Sequence, residues 1–133
     1  MDNKERDLCL YRYQDAIQTL DAARLCFNSN HYKDAVNRSY YAAFYAVKAV
    51  LALEAVDFKR HKDAVGYFNH NYVATDVFPR KIGKLLGRLK QKRETSDYDA
   101  FYIASREETE EQLTAAEAII QSIHSYLKEK GIL

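Results

Sequence analysis

The stretch His31–Glu54, HYKDAVNRSYYAAFYAVKAVLALE, decides the fold of this chain. When its residues are projected at 100° per residue, one narrow sector collects apolar and aromatic side chains. They are Val36, Tyr40, Ala43, Val47 and Val50. The pattern predicts a helix over about residues 31–54 that buries this stripe in a hydrophobic core.

The side of this helix opposite the stripe has few charges for a surface helix. It carries Arg38, Tyr41, Tyr45, Ala49 and Ala52. One interpretation places the helix in the centre of a bundle, covered on both sides. The other packs this side against a second copy across a two-fold axis, because alanines permit close approach and tyrosine is favoured at interface centres. The second interpretation predicts a homodimer with Tyr41, Tyr45, Ala49 and Ala52 at its interface and Arg38 in a shared cleft.

The rest of the chain reads as further helices. Period 3.6 predicts them over about residues 2–27, 62–73, 79–93 and 105–130, with an irregular or helical piece at 97–101. Ser105 and Glu108 form a capping box at the start of the last helix, and Gly131 ends it. Four glycines and one proline in 133 residues are too few for a sheet fold with many tight turns. We therefore predict one all-α domain over residues 1–133, an antiparallel up-and-down bundle of about five helices.

Length and composition point to a cytoplasmic globular protein. Cys9 and Cys26 are 17 residues apart on one predicted helix, about 25 Å along its axis, too far for a disulfide. The polar N-terminus does not read as a signal peptide. The longest apolar stretch, Tyr40–Leu53, contains Lys48 and is too short to span a bilayer. No membrane association is expected.

The net charge of +1 hides an uneven distribution along the chain. Residues 59–93 hold ten basic and two acidic residues, a balance of +8, so the remainder carries −7. Four of the basic residues form a stripe on the fourth predicted helix: Lys81, Lys84, Arg88 and Lys92. The stripe suits either phosphate binding or a solvated face paired with the acidic start of the last helix.

Arg93 differs from the stripe because it projects onto the apolar side of its helix. A buried arginine needs a partner, and Asp97 or Asp99 is close enough in sequence to pair with it. The alternative is a second phosphate-binding cation in the cleft. His61 and His70 are half a turn out of phase, which argues against a shared metal site. No cofactor or metal is expected, since no nucleotide-loop or metal motif is present.

Residues 35–46, AVNRSYYAAFYA, resemble the central helix of the HEPN domain family (higher eukaryotes and prokaryotes nucleotide-binding). Residues 60–65 with Phe68, Phe78-Pro79 with Gly83, and Arg93 with Asp97-Tyr98 extend the resemblance over about residues 10–125. It implies a dimeric helical bundle, like a nucleotidyltransferase substrate-binding subunit. Such proteins are often encoded beside a minimal nucleotidyltransferase as a toxin and antitoxin pair. Active members resemble metal-independent ribonucleases that use an arginine and a histidine.

The chain departs from the family pattern at one position. Arg38 matches the family arginine, but Tyr45 stands where the histidine is found. A tyrosine has a reference pKa near 10 and would need a shift of about three units, roughly 4 kcal/mol, to act as a base at pH 7. We therefore expect a cleft around Arg38, with Tyr41 as a further ligand-binding residue, that binds a nucleotide or RNA, and a nucleotidyltransferase-type protein as partner.

Two alternatives remain open at this point. One is an active endoribonuclease toxin with Arg38 and Tyr45 as catalytic residues. The other is an assembly module without a ligand.

Overall fold

The computed structural model describes residues 3–133 as an all-α bundle. The helices are α1 (Asn3–Asn28), α2 (Tyr32–Ala52), α3 (His61–Phe68), α4 (Arg80–Tyr98) and α5 (Arg106–Glu129), and one π-helical turn, Asn69–Val73, follows α3. No strand occurs within residues 3–133. The predicted all-α class and number of helices are confirmed.

Helix α2 lies at the centre of the bundle and packs against the four other helices. Thirteen of its 21 residues are buried, including all five residues of the predicted core stripe. Ala49 and Ala52 are also buried, at 0 and 1 % exposure. These two alanines therefore face the protein interior, and their predicted place at a dimer interface is wrong. Other helices of the same chain cover that part of α2.

Two helix ends follow from local chemistry. Ser105 Oγ accepts a hydrogen bond from the Glu108 amide at 3.1 Å, as the capping box predicts. Helix α4 runs five residues beyond the predicted end at Arg93. Two pairs spaced four residues apart, Lys90 with Glu94 and Arg93 with Asp97, stabilise this last part of the helix.

Both cysteines are free: Cys9 is buried and Cys26 is half-buried. Burial raises the pKa of the Cys9 thiol to about 11, which leaves it protonated and unreactive at neutral pH. None of the helices within residues 3–133 combines the length and the apolar character needed to cross a lipid bilayer.

Candidate functional site

A row along the outward side of α2 carries Arg38, Tyr41 and Tyr45, which the sequence pattern singled out. Arg38 is exposed, and no hydrogen bond or ion pair holds its side chain within residues 3–133. Tyr41 follows one turn later and Tyr45 one turn after that, both half-buried, with ring centroids 5.9 Å apart. The row therefore presents one free guanidinium beside two partly accessible aromatic rings.

His61, the first residue of α3, packs onto this row. Its ring centroid lies 4.2 Å from that of Phe44 and 5.6 Å from that of Tyr41, edge-on to the latter. His61 Nδ1 is 3.3 Å from the Tyr40 hydroxyl, a hydrogen bond that orients the imidazole. The ring is only half-buried, so the imidazole is both fixed in place and accessible.

The surroundings of His61 favour the neutral imidazole. Burial lowers the pKa of His61, and the positive charges of Arg93, Lys48 and Lys90 lower it further. Because the ordinary value is about 6.5, His61 is uncharged at pH 7. A neutral imidazole near cations can accept a proton from a bound group.

Arg93 of α4 packs against Tyr40 and Tyr41, which also contact His61. Its guanidinium carbon is 4.8 Å from the centroid of Tyr40 and 5.7 Å from that of Tyr41, in cation–π contact with both rings. The predicted ion pair with Asp97 is confirmed at 3.4 Å, and the side chain is only 12 % exposed. Its Nε atom is buried without a hydrogen-bond partner.

Arg93 is charged throughout the physiological range. Burial by itself lowers the pKa of its guanidinium, but Tyr41, Tyr40 and Asp97 outweigh this and raise it. Tyr40 is the opposite case, since burial raises its pKa to about 12 despite the nearby Arg93. Its hydroxyl is therefore protonated at neutral pH. We call the group Arg38, Tyr41, Tyr45, His61 and Arg93 the α2 site.

Three of the four residues of the basic stripe on α4, namely Lys81, Arg88 and Lys92, face the acidic start of α5. Lys92 pairs with Glu108 at 3.4 Å. Lys81 and Arg88 line a groove of about 670 Å³ whose other wall includes Glu107, Glu110 and Glu111 of α5. Lys84 is exposed on the same helix. An acidic wall opposes a bound phosphate, so the structure favours the solvated, charge-paired interpretation of the stripe.

His61 is the functional candidate that the sequence analysis did not select. Periodicity ranks residues within one helix, whereas His61 joins the α2 site across the turn between α2 and α3. The sequence feature that could have marked His61 as a candidate is its place in the basic run Arg60-His61-Lys62 at the start of a short helix. In the part of the chain from residue 3 onward, no group of three or more His, Cys, Asp or Glu side chains is arranged to hold a metal ion.

Comparison with known proteins places the chain in a family. The family model "HEPN domain" matches residues 10–126. A "UPF0332 protein" of Thermotoga maritima is 30% identical over 127 residues, which cover 96% of this chain and 96% of the relative. Two proteins of Methanocaldococcus jannaschii named "Putative toxin" are each 30% identical. They cover 90% and 86% of this chain, and 82% and 84% of their own lengths. This chain therefore belongs to the HEPN domain family.

Proposed function

We propose that the α2 site binds a nucleotide or a single-stranded RNA. The observation that carries this proposal is the unpaired, exposed Arg38 beside the half-buried rings of Tyr41 and Tyr45. An arginine donates paired hydrogen bonds to a phosphate. Bases stack on accessible aromatic rings, each stack contributing about 1–3 kcal/mol. The two chemistries of a nucleotide thus meet complementary groups on adjacent turns of one helix.

The same face is proposed to pair two copies of the chain. The half-buried Tyr45 is proposed to make this contact, which leaves Tyr41 for the bound base, whereas Ala49 and Ala52 are buried within the chain. Two-fold pairing would bring two copies of Arg38 to one cleft. Light scattering is expected to give twice the chain mass of 15.4 kDa at micromolar concentration. Tyr45→Glu is expected to return the monomer, while Tyr11→Glu, on the exposed outside of α1, keeps the dimer. A wild-type monomer would contradict the pairing.

A minimal nucleotidyltransferase is the proposed protein partner, in a pair of the toxin and antitoxin type. The support is family membership together with the names of the two archaeal relatives. Co-purification with a nucleotidyltransferase encoded next to this chain is the test. Failure of the two proteins to form a complex would contradict the partnership and leave the ligand proposal standing.

Binding is tested by the fluorescence anisotropy of a labelled single-stranded RNA, with ATP as competitor. Arg38→Ala is expected to weaken binding about tenfold or more, because a hydrogen bond to a charged group contributes about 1.5–3 kcal/mol. The slope of log K against log salt concentration should also become less steep by about 0.7, the value for one phosphate contact on a single strand. ATP that displaces the RNA identifies a site for a single nucleotide.

Two matched variants locate the site. Lys128→Ala removes one exposed positive charge from the end of α5 and is expected to leave the affinity within about twofold. Arg88→Ala removes a charge from the α4 stripe and is expected to have the same small effect. If Arg88→Ala weakens binding and Arg38→Ala does not, the ligand lies in the stripe and the proposal is wrong.

Metal-independent ribonuclease activity is the second candidate function. The observation that favours it is His61, a neutral and accessible imidazole held against Tyr41. It supplies a base of suitable pKa that α2 itself lacks.

A further inference from the structure

We propose that His61, and not Tyr45, accepts the proton when RNA bound in the α2 site is cleaved by its own 2′-hydroxyl. This inference rests on the proposed binding of RNA at that site. It assigns the base of the reaction to α3, although the cation that binds the phosphate, Arg38, is on α2.

His61 lies directly beside Tyr41. Arg38 lies one turn before Tyr41 on the same helix, and His61 meets the Tyr41 ring edge-on at 5.6 Å. A nucleotide stacked at Tyr41 would therefore lie next to both the imidazole and the helix position that carries the guanidinium. Residues one turn apart on a helix surface are about 5–6 Å apart at their Cβ atoms. This spacing is suited to a phosphate and its adjoining ribose.

The imidazole of His61 is held in one orientation by its neighbours. Phe44 covers one face at 4.2 Å, and the Tyr40 hydroxyl meets Nδ1 at 3.3 Å. In the tautomer with its proton on Nδ1, His61 donates to the Tyr40 oxygen and leaves the lone pair of Nε2 free. A base that is held in position to take up a proton typically increases the reaction rate about 10²–10⁴-fold.

Charged side chains face His61 from the helices packed against it. Lys48 of α2 and Lys90 and Arg93 of α4 are cations that disfavour protonation of the imidazole. Their partners are Asp57, Glu94 and Asp97 respectively. On α3 itself, the neighbouring Arg60 is paired with Asp63. This balance favours the neutral imidazole at neutral pH, while the cations favour the anionic transition state.

The reaction is an internal transfer that requires no co-reactant. His61 Nε2 takes the proton of the 2′-hydroxyl, and the 2′-oxygen forms a bond to phosphorus. The bond from phosphorus to the 5′-oxygen breaks with its electron pair, and that oxygen takes a proton from water. The products are a 2′,3′-cyclic phosphate and a 5′-hydroxyl end. The imidazolium then returns its proton to solvent.

The test is RNA cleavage in the presence of EDTA from pH 5 to pH 9, with binding of the same RNA measured in parallel. Wild type is expected to produce cyclic phosphate ends at a rate that rises with pH in the acidic part of the range and is already level at pH 7, because the pKa of His61 is lowered. His61→Asn is expected to lower the rate at least a hundredfold, a much larger loss than its loss of RNA affinity. The matched control, His70→Asn at an exposed position of the π-helical turn, keeps the wild-type rate.

The outcomes separate this inference from the binding proposal. Wild type that binds RNA but does not cut it overturns the inference and leaves the binding proposal intact. A rate that still climbs at pH 9 requires a base with a pKa well above that of a histidine and also overturns the inference. If no RNA binds, both fail. Because the pH profile is measured on wild type, it remains decisive even if His61→Asn does not fold.

Discussion

The side chain of Arg93 connects the stability of the bundle with the chemistry of the α2 site. Its guanidinium is almost buried and stacks on Tyr40, while its charge lowers the pKa of His61. A buried cation with an unpartnered Nε is costly for folding. We interpret this cost as the consequence of holding a fixed positive charge beside the imidazole.

Replacing Arg93 tests this electrostatic link. Arg93→Gln removes the cation, so the pKa of His61 is expected to rise toward its ordinary value, because protonation no longer meets that repulsion. The measurement is an NMR titration of the His61 ring. Arg106→Gln is the matched control, since Arg106 also lies 4.8 Å from an aromatic ring, that of Phe27. An unchanged His61 pKa in Arg93→Gln would contradict the link.

At the scale of single helices, periodicity and capping residues predicted most of the fold. The central helix, its buried stripe and the Ser105 cap are confirmed because each depends on residues a few positions apart. The end of α4 at Tyr98 was not predicted, because it depends on two ion pairs past the last apolar residue. The burial of Ala49 and Ala52 and the position of His61 depend on packing between helices, which periodicity does not contain.

Two glycines of α4 provide a test of how tightly this helix packs. A Cβ at Gly87 meets nothing within 4 Å, whereas one at Gly83 lies 3.1 Å from a methyl group of Val73 and 3.2 Å from the Asn69 side-chain oxygen. Gly87→Ala is expected to raise the free energy of unfolding by up to about 1 kcal/mol through helix propensity. Gly83→Ala is expected to lower it, because the π-helical turn must move.

Urea unfolding of the two variants gives the comparison. Both substitutions add the same methyl group to the same helix, so their difference isolates the contact with the turn Asn69–Val73. An equal rise in the free energy of unfolding in both variants would mean that the turn moves at no cost. That result would contradict the close packing of α4 against the turn.

For the whole molecule, the distribution of charge matters more than the net charge. The segment 59–93 carries +8 and the rest of the chain −7, yet much of the α4 stripe faces the acidic start of α5. The exposed Arg38 lies outside that segment, on α2. We therefore expect ligand binding to follow local geometry at the α2 site and not the charge of the longest basic segment.

Mapping the bound ligand on the folded protein tests this central claim most directly. The measurement is an NMR titration of the ¹⁵N-labelled chain with a short single-stranded RNA. If the ligand binds in the α2 site, the largest chemical-shift changes are expected at its residues, Arg38, Tyr41, Tyr45, His61 and Arg93. Largest changes at Lys81, Lys84 and Arg88, or no changes at all, would contradict it.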